Sequence, residues 1–267
     1  MADYSGIPKG ATLQPTPFVA KVSEEKLQLC KDLIRLSPVG PETYSNTITD
    51  RSDGMRRDWL ANAKKIWETN YDWRKTEARI NAFPNFSVTI PDEDGDDIDL
   101  HFIALFSRKQ DAVPISMSHG WPGSFLEFFP LLDVLTEKYS LEDLPFYIVV
   151  PSLPSYTYSS VLTTKEYTVL KVATLFDKLI RRLSFASYIA YSRDIGSSIT
   201  FVQGLASATY KAIYINNIFI APLDDADKLP LDEVEAIAKA RADKSNLTCF
   251  LYTSEYIIRL GTISLAL

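Results

Sequence analysis

The chain has 267 residues, 46% of them hydrophobic, 12% aromatic and 23% charged, a globular balance that excludes disorder as its dominant state. At about 150 residues per domain this allows one large domain or two small ones. With 28 basic and 34 acidic side chains the net charge is −6, which argues against electrostatic capture of nucleic acid or an anionic membrane.

Cys30 and Cys249 are the only cysteines, too far apart in sequence for a disulfide framework or a thiolate metal site, and they read as reduced, structural thiols. Residues 1 to 20 lack the basic start and apolar run of a leader. No later segment reaches about 18 uninterrupted apolar residues, so the chain reads as soluble and cytoplasmic, with no membrane span. Residues 1 to 22, rich in Pro and Gly, read as an extended arm. Ser23 before Glu24 and Glu25 predicts an N-cap, and Leu29, Cys30, Leu33, Ile34 and Leu36 recur at helical spacing, so a first helix runs to about Leu36. Trp59, Leu60, Ala63, Ile66 and Trp67 form a second apolar stripe. Residues 77–83 predict a short third helix stopped by Pro84.

From Phe86 the hydrophobic period changes. FSVTI and IDLHFIALF read as strands around the acidic turn PDEDGDD, a solvated hairpin loop and not a calcium loop, because the ligand spacing of an EF-hand is not met; no metal is expected. Strands then follow at 113–117, 146–150, 188–191 and 212–218, alternating with helices over 169–183 and 197–208, and Asp232 caps a further helix through Val234 and Ile237. This rhythm predicts an α/β protein with a parallel sheet covered on both faces. The domain reading is a helical segment over residues 1–85, an α/β core over 86–222 and lid helices over 223–267.

Two segments fall at strand ends, where open α/β sheets place their ligands. His119-Gly120-Trp121-Pro122-Gly123 follows the strand VPISM. Ser192-Arg193-Asp194-Ile195-Gly196 lies between the strand YIAY and a helix. Small residues two before and two after a central residue permit the sharp strand-to-helix turn of a nucleophile elbow, and here the lifted residue is Asp194. A carboxylate that attacks an electrophilic carbon forms an ester, which suits an epoxide or a haloalkane. Taken singly each segment also reads as a structural turn, since Asp is a favoured N-cap; their order within the α/β pattern favours the catalytic reading.

These two segments occur with PFVAKVSEEKL, with Tyr71-Asp72-Trp73-Arg74 followed by Glu77 and Asn81-Ala82-Phe83-Pro84, with HGWPGSFLEFFP and with VVPSLPSYTYSS. In that order they resemble the microsomal-type epoxide hydrolases, above all the soluble fungal members. The resemblance implies an α/β-hydrolase core with a mostly parallel sheet, preceded by an N-terminal helical segment that wraps it. It implies Asp194 as nucleophile and the Trp121 and Ile195 amides as oxyanion donors, with His119, Gly120 and Pro122 in the substrate-binding loop. Tyr252, in LYTSEYIIRLGTI, matches a lid tyrosine that donates to the epoxide oxygen; the plain alternative is a packing aromatic. No cofactor is implied, and the substrate is a lipophilic epoxide or related oxygenated metabolite, in fungal secondary metabolism. Ser155, Ser192 and Arg193 stand where that family usually has glycine.

The family's chains continue past residue 267 with a second tyrosine, an acidic partner and the catalytic histidine. Neither His101, on a strand, nor His119, in the oxyanion loop, matches the position of that base. The sequence therefore predicts a sheet without its last strands, an ester at Asp194 that turns over slowly, and an edge strand at 212–218 that favours a homodimer. A cyclase or isomerase that uses the same pocket without a covalent step, and a ligand-binding protein without catalysis, are the alternatives.

Overall fold

The structure is a computed structural model that describes residues 3–50, 54–160, 163, 166–206 and 210–216. Contacts divide the chain into Val19–Ala82 and a second unit built from the residues on either side of it.

Residues 19–82 form four helices, three of which start at a side-chain cap. Ser23 caps α1 (Glu24–Leu36) by accepting the Lys26 N–H. Thr43 and Asn46 form a reciprocal capping box at α2 (Tyr44–Thr47), a turn the sequence reading did not find. The helix α3 (Arg57–Thr69) carries the second apolar stripe. Asp72 caps α4 (Trp73–Asn81) through the Arg74 N–H, so this helix begins four residues before the expected start at Glu77. What fastens the entering strand of chain to α4 is polar. The Val22 N–H donates to Glu77 Oε1 at 2.6 Å, Arg74 donates to Glu77 Oε2 at 2.6 Å and to Val22 O at 2.9 Å, and the Asn81 amide bonds both the N–H and the C=O of Ala20.

In the second unit the sheet has the order β1-β2-β3-β5-β4-β6-β7. Its strands are β1 (Thr16–Pro17), β2 (Asn85–Pro91), β3 (Asp97–Leu105), β4 (Val113–Ser118), β5 (Phe146–Pro151), β6 (Tyr188–Ser192) and β7 (Tyr210–Ile215). Pairing is antiparallel from β1 to β5 and parallel over β5, β4, β6 and β7. The expected last strand is thus observed two residues earlier than 212–218, and residues from 217 onward lie outside the described part. The arm joins this unit: Phe106 N–H donates to Tyr4 O, and Thr12 N–H to Arg182 O.

Among the described residues α5 (Phe129–Lys138), α6 (Val169–Arg182) and α7 (Ile195–Ala206) link β4 to β5, β5 to β6 and β6 to β7. The first is a helix the sequence reading did not include, although Phe129, Leu132 and Leu135 are its buried face at helical spacing. Right-handed crossovers place α5 on one face of the sheet, and α6 and α7 on the other, because the winding direction reverses after β5. The period of two in β3 divides its side chains between these faces. Ile98, Leu100, Phe102 and Ala104 join the cluster with Val172, Phe176 and Leu179 of α6, and His101, Ile103 and Leu105 turn the other way; all are fully buried.

The hairpin turn between β2 and β3 is acidic as read. Asp92, Asp94 and Asp96 bring one carboxylate oxygen each within 4.8 Å of one another, Asp92 Oδ1 accepts the Asp94 and Asp96 N–H groups, and Lys171 Nζ sits 2.7 Å from Asp94 Oδ2.

Candidate active site

The reversal after β5 leaves β4 and β6 adjacent while the chain leaves them toward opposite faces. Such a switch point opens a crevice at the strands' carboxyl ends. Residues 119–123 leave β4 there and residues 193–195 leave β6.

The turn after β6 is tight. Asp194 has φ of 50°, in the left-handed region that a non-glycine residue occupies only where its surroundings impose it. Two glycines create that imposition. A Cβ on Gly196 would lie 2.6 Å from Ser118 O and 2.7 Å from His119 O, and one on Gly120 would lie 2.4 Å from Asp194 Cβ. At Gly196 backbone therefore meets backbone, and at Gly120 it meets the Asp194 side chain, which is lifted over the end of β4. Ser192, buried below it, donates from Oγ to Tyr214 O at 3.2 Å, and Ser197 N–H donates to Asp194 O at 2.8 Å.

The lifted carboxylate meets the facing loop. Trp121 N–H donates to Asp194 Oδ1 at 2.9 Å. Ile195 opens α7, so its N–H has no intrahelical acceptor. The Trp121–Pro122 peptide is cis. Around them is a pocket of about 270 Å³, lined among the described residues by Gly120, Trp121, Pro122, Gly123, Glu127, Arg193, Asp194 and Asn216. Of the residues proposed from sequence, the structure therefore gathers Asp194, Trp121, Gly120 and Pro122 around one space, with Ile195 beneath. Tyr252 lies outside the described residues.

His119 is not in that lining. Its Nδ1–H donates to Gly120 O at 3.1 Å, its Nε2 accepts the Leu153 N–H at 3.0 Å, and burial holds its pKa down at about 4. It acts on the site through backbone, as a buried neutral ring. His101 is equally closed. Nε2–H donates to Asn85 Oδ1 at 3.0 Å, Ser152 Oγ donates to Nδ1 at 2.8 Å, and burial lowers its pKa to about 3.

Glu127 and Asn216 line the pocket and are not among the residues proposed from sequence. Glu127, in the short 3-10 turn Phe125–Phe128, accepts the Gly120 N–H on Oε1 at 3.1 Å. Burial raises its pKa; the Gly120 amide and the Arg193 charge oppose this, and the Asp194 charge adds to it. Glu127 lies eight positions after the histidine of HGWPGSFLEFFP, an acid amid apolar residues that nothing local marks as turned inward.

A mixed sheet whose fifth strand precedes a reversal, with an acidic elbow after the sixth, is an α/β-hydrolase fold. Residues 15–128 match the family model described as epoxide hydrolase N terminus. A Dothistroma septosporum protein named as an epoxide hydrolase is 43% identical over all of this chain, which spans 64% of that protein. The solved Aspergillus niger epoxide hydrolase superposes with a TM-score of 0.76 at 38% identity, covering 89% of this chain and 62% of its own. The juvenile hormone epoxide hydrolase of the silkworm Bombyx mori shares the fold, with a TM-score of 0.64 at 24% identity over 76% of this chain and 53% of its own. The chain belongs to the epoxide hydrolase family, and it spans less than two thirds of each of these relatives.

Proposed function

We propose that the chain opens a lipophilic epoxide by ester formation at Asp194. The observation that carries this reading is the left-handed elbow at Asp194, with Trp121 N–H on one carboxylate oxygen. Oδ1 is held by the amide, so Oδ2 is the attacking atom. A bond forms from Oδ2 to a ring carbon while the C–O bond of the strained ring breaks, and the departing oxygen keeps the electron pair and takes up a proton. Tyr252 is the proposed donor of that proton.

Deacylation adds water to the ester carbonyl carbon and then breaks its bond to Oδ2, so the diol leaves with that oxygen and the water's oxygen restores the carboxylate. The negative charge that develops on Oδ1 is met by the Trp121 N–H, already in place, and by the Ile195 N–H; such preorganised donors are typically worth about 3 to 4 kcal/mol each in related chemistry. Attack by water also needs a base, and the two histidines of this chain are buried with both ring nitrogens engaged. That observation favours, as a second reading, a chain that forms the ester and releases it slowly.

Intact mass spectrometry after incubation with styrene oxide tests both readings. The expected result is a gain of one epoxide mass, mapped to Asp194 and absent in Asp194→Asn. Diol formed with no adduct would favour full turnover, and neither diol nor adduct from any member of an epoxide panel would overturn the proposal.

A further inference from the structure

Two successive amides leave the loop after β4 toward two different carboxylates. Gly120 N–H donates to Glu127 Oε1 at 3.1 Å, and Trp121 N–H donates to Asp194 Oδ1 at 2.9 Å. The peptide joining these residues is held on its other side as well, since Gly120 O accepts the His119 Nδ1–H. Its plane is thereby fixed: carbonyl toward the buried imidazole, N–H toward the pocket. Gly123 completes the wrap, because a Cβ there would lie 3.1 Å from Glu127 Oε2, so the loop is folded around this side chain. Both carboxylates line the same pocket beside Arg193.

A half-buried acid in an apolar turn is costly unless its hydrogen bond does something. Here the bond sets the direction of the next amide. We propose that Glu127 is the positioning residue of the oxyanion loop, holding Gly120 N–H so that Trp121 N–H stays on the oxygen of Asp194 that becomes the oxyanion. The proposal rests on the ester-forming reading of Asp194 for its effect on rate, but not for its effect on the loop. Misplacing a catalytic donor by about 1 Å is enough to lower a rate by about 100-fold. The contribution is one of acceptor geometry, so a neutral side chain of the same shape, with its amide oxygen at Oε1, can supply it.

The test compares Glu127→Ala and Glu127→Gln in the full chain. Ester formation with styrene oxide is followed by intact mass, and hydrogen exchange is followed at the Gly120 and Trp121 amides. Glu127→Ala should slow ester formation by about 10-fold to 100-fold and expose both amides to exchange. Glu127→Gln should restore the rate to within about threefold of the parent and keep both amides protected. A Glu127→Gln chain as slow as Glu127→Ala, or a Glu127→Ala chain with parental rate and protection, overturns the proposal. If the parent chain takes up no styrene oxide, the ester-forming reading fails on its own account and exchange alone decides. Loss of protection in Glu127→Ala with retention in Glu127→Gln then supports the positioning role, and equal protection in both rejects it.

Discussion

The two units hold themselves together by different means. In the sheet unit, α6 buries Val172, Ala173, Leu175, Phe176, Leu179 and Ile180 in one stripe, in a cluster with the buried Ile90, Ile98, Leu100 and Phe102 of β2 and β3. Among residues 19–82, neither α1, α2 nor α3 buries a single residue, Trp59 and Trp67 remain 54% and 60% exposed, and order at α4 comes from Glu77, Arg74 and Asn81 grasping backbone. The sheet unit gains stability roughly in proportion to apolar area removed from water; residues 19–82 depend on a few directional bonds, each replaceable by water once the chain moves away. The comparison explains why the pocket lies where it does. A carboxylate held at a left-handed φ needs surroundings that over-determine it, and only the sheet unit supplies them.

The sharpest way to break this contrast is at Gly196. Gly196→Ala places a methyl against two backbone oxygens that cannot rotate away, so the sheet unit should lose about 3 kcal/mol or more. Urea unfolding checks this, and a variant within 0.5 kcal/mol of the parent would show the elbow to be pliable (about the scatter of neutral surface changes).

Acid should separate the units next. His101 and His119 titrate at about 3 and about 4 in the folded chain, against about 6.5 when unfolded. Below pH 6.5 the unfolded chain takes up protons that the folded chain refuses. The contribution of these rings is therefore whole above about pH 6.5 and is lost as pH falls toward 4, by on the order of 1.4 kcal/mol per pH unit for each ring. Both rings lie in the sheet unit, so amide protection there should decline across this window, and His101→Asn should flatten the slope. A stability that stays constant from pH 6.5 to 4.5 (a window set by the reference pKa of free histidine, about 6.5) would contradict the buried neutral assignment.

A smaller, local effect is expected at Glu77. The Val22 amide, then Arg74 and Trp73, hold its carboxyl below the usual carboxylate range. The clasp is thus fully formed above that range and released as pH falls through the lowered value. Glu77→Ala should raise hydrogen exchange at Val22 while leaving β3 and β5 protected, and a loss of protection in the strands would show that the clasp supports more than its own unit. The smallest effect is expected at Ser155, whose φ of 67° is the left-handed value that explains glycine at this place in the family. Ser155→Gly should stabilise the chain by about 0.5 to 1 kcal/mol, seen as a raised melting temperature; a lowered one would mean the Ser155 side chain holds its turn.

What could be read from residues alone follows the same division. Caps announce themselves locally, so Ser23 and the start of α1 were visible, and period-two strands such as β3 were visible on both faces. Asp194 was legible because the pattern of small residues at Ser192 and Gly196 is local in sequence, although the approach of Ser118 O and His119 O that demands glycine at 196 is not. Glu127 was not, because its partner is the amide of Gly120 seven residues back, and nothing in FLEF distinguishes an acid turned inward from one turned to water. The histidines show the converse. Their positions excluded them as the family's base, yet only the structure assigns them work, His119 orienting a peptide and His101 bridging Asn85 to Ser152.

The close approach at Gly196 has a consequence for how this site can change over time. The gap between the ends of β4 and β6 is gauged by the absence of one methyl group, not by the identity of the acid above it. A lineage can therefore exchange the lifted side chain, and with it the chemistry, while keeping the mouth of the crevice at the same width. The reverse order is closed to it, since a side chain at 196 would force the two strand ends apart before any new reaction could be selected.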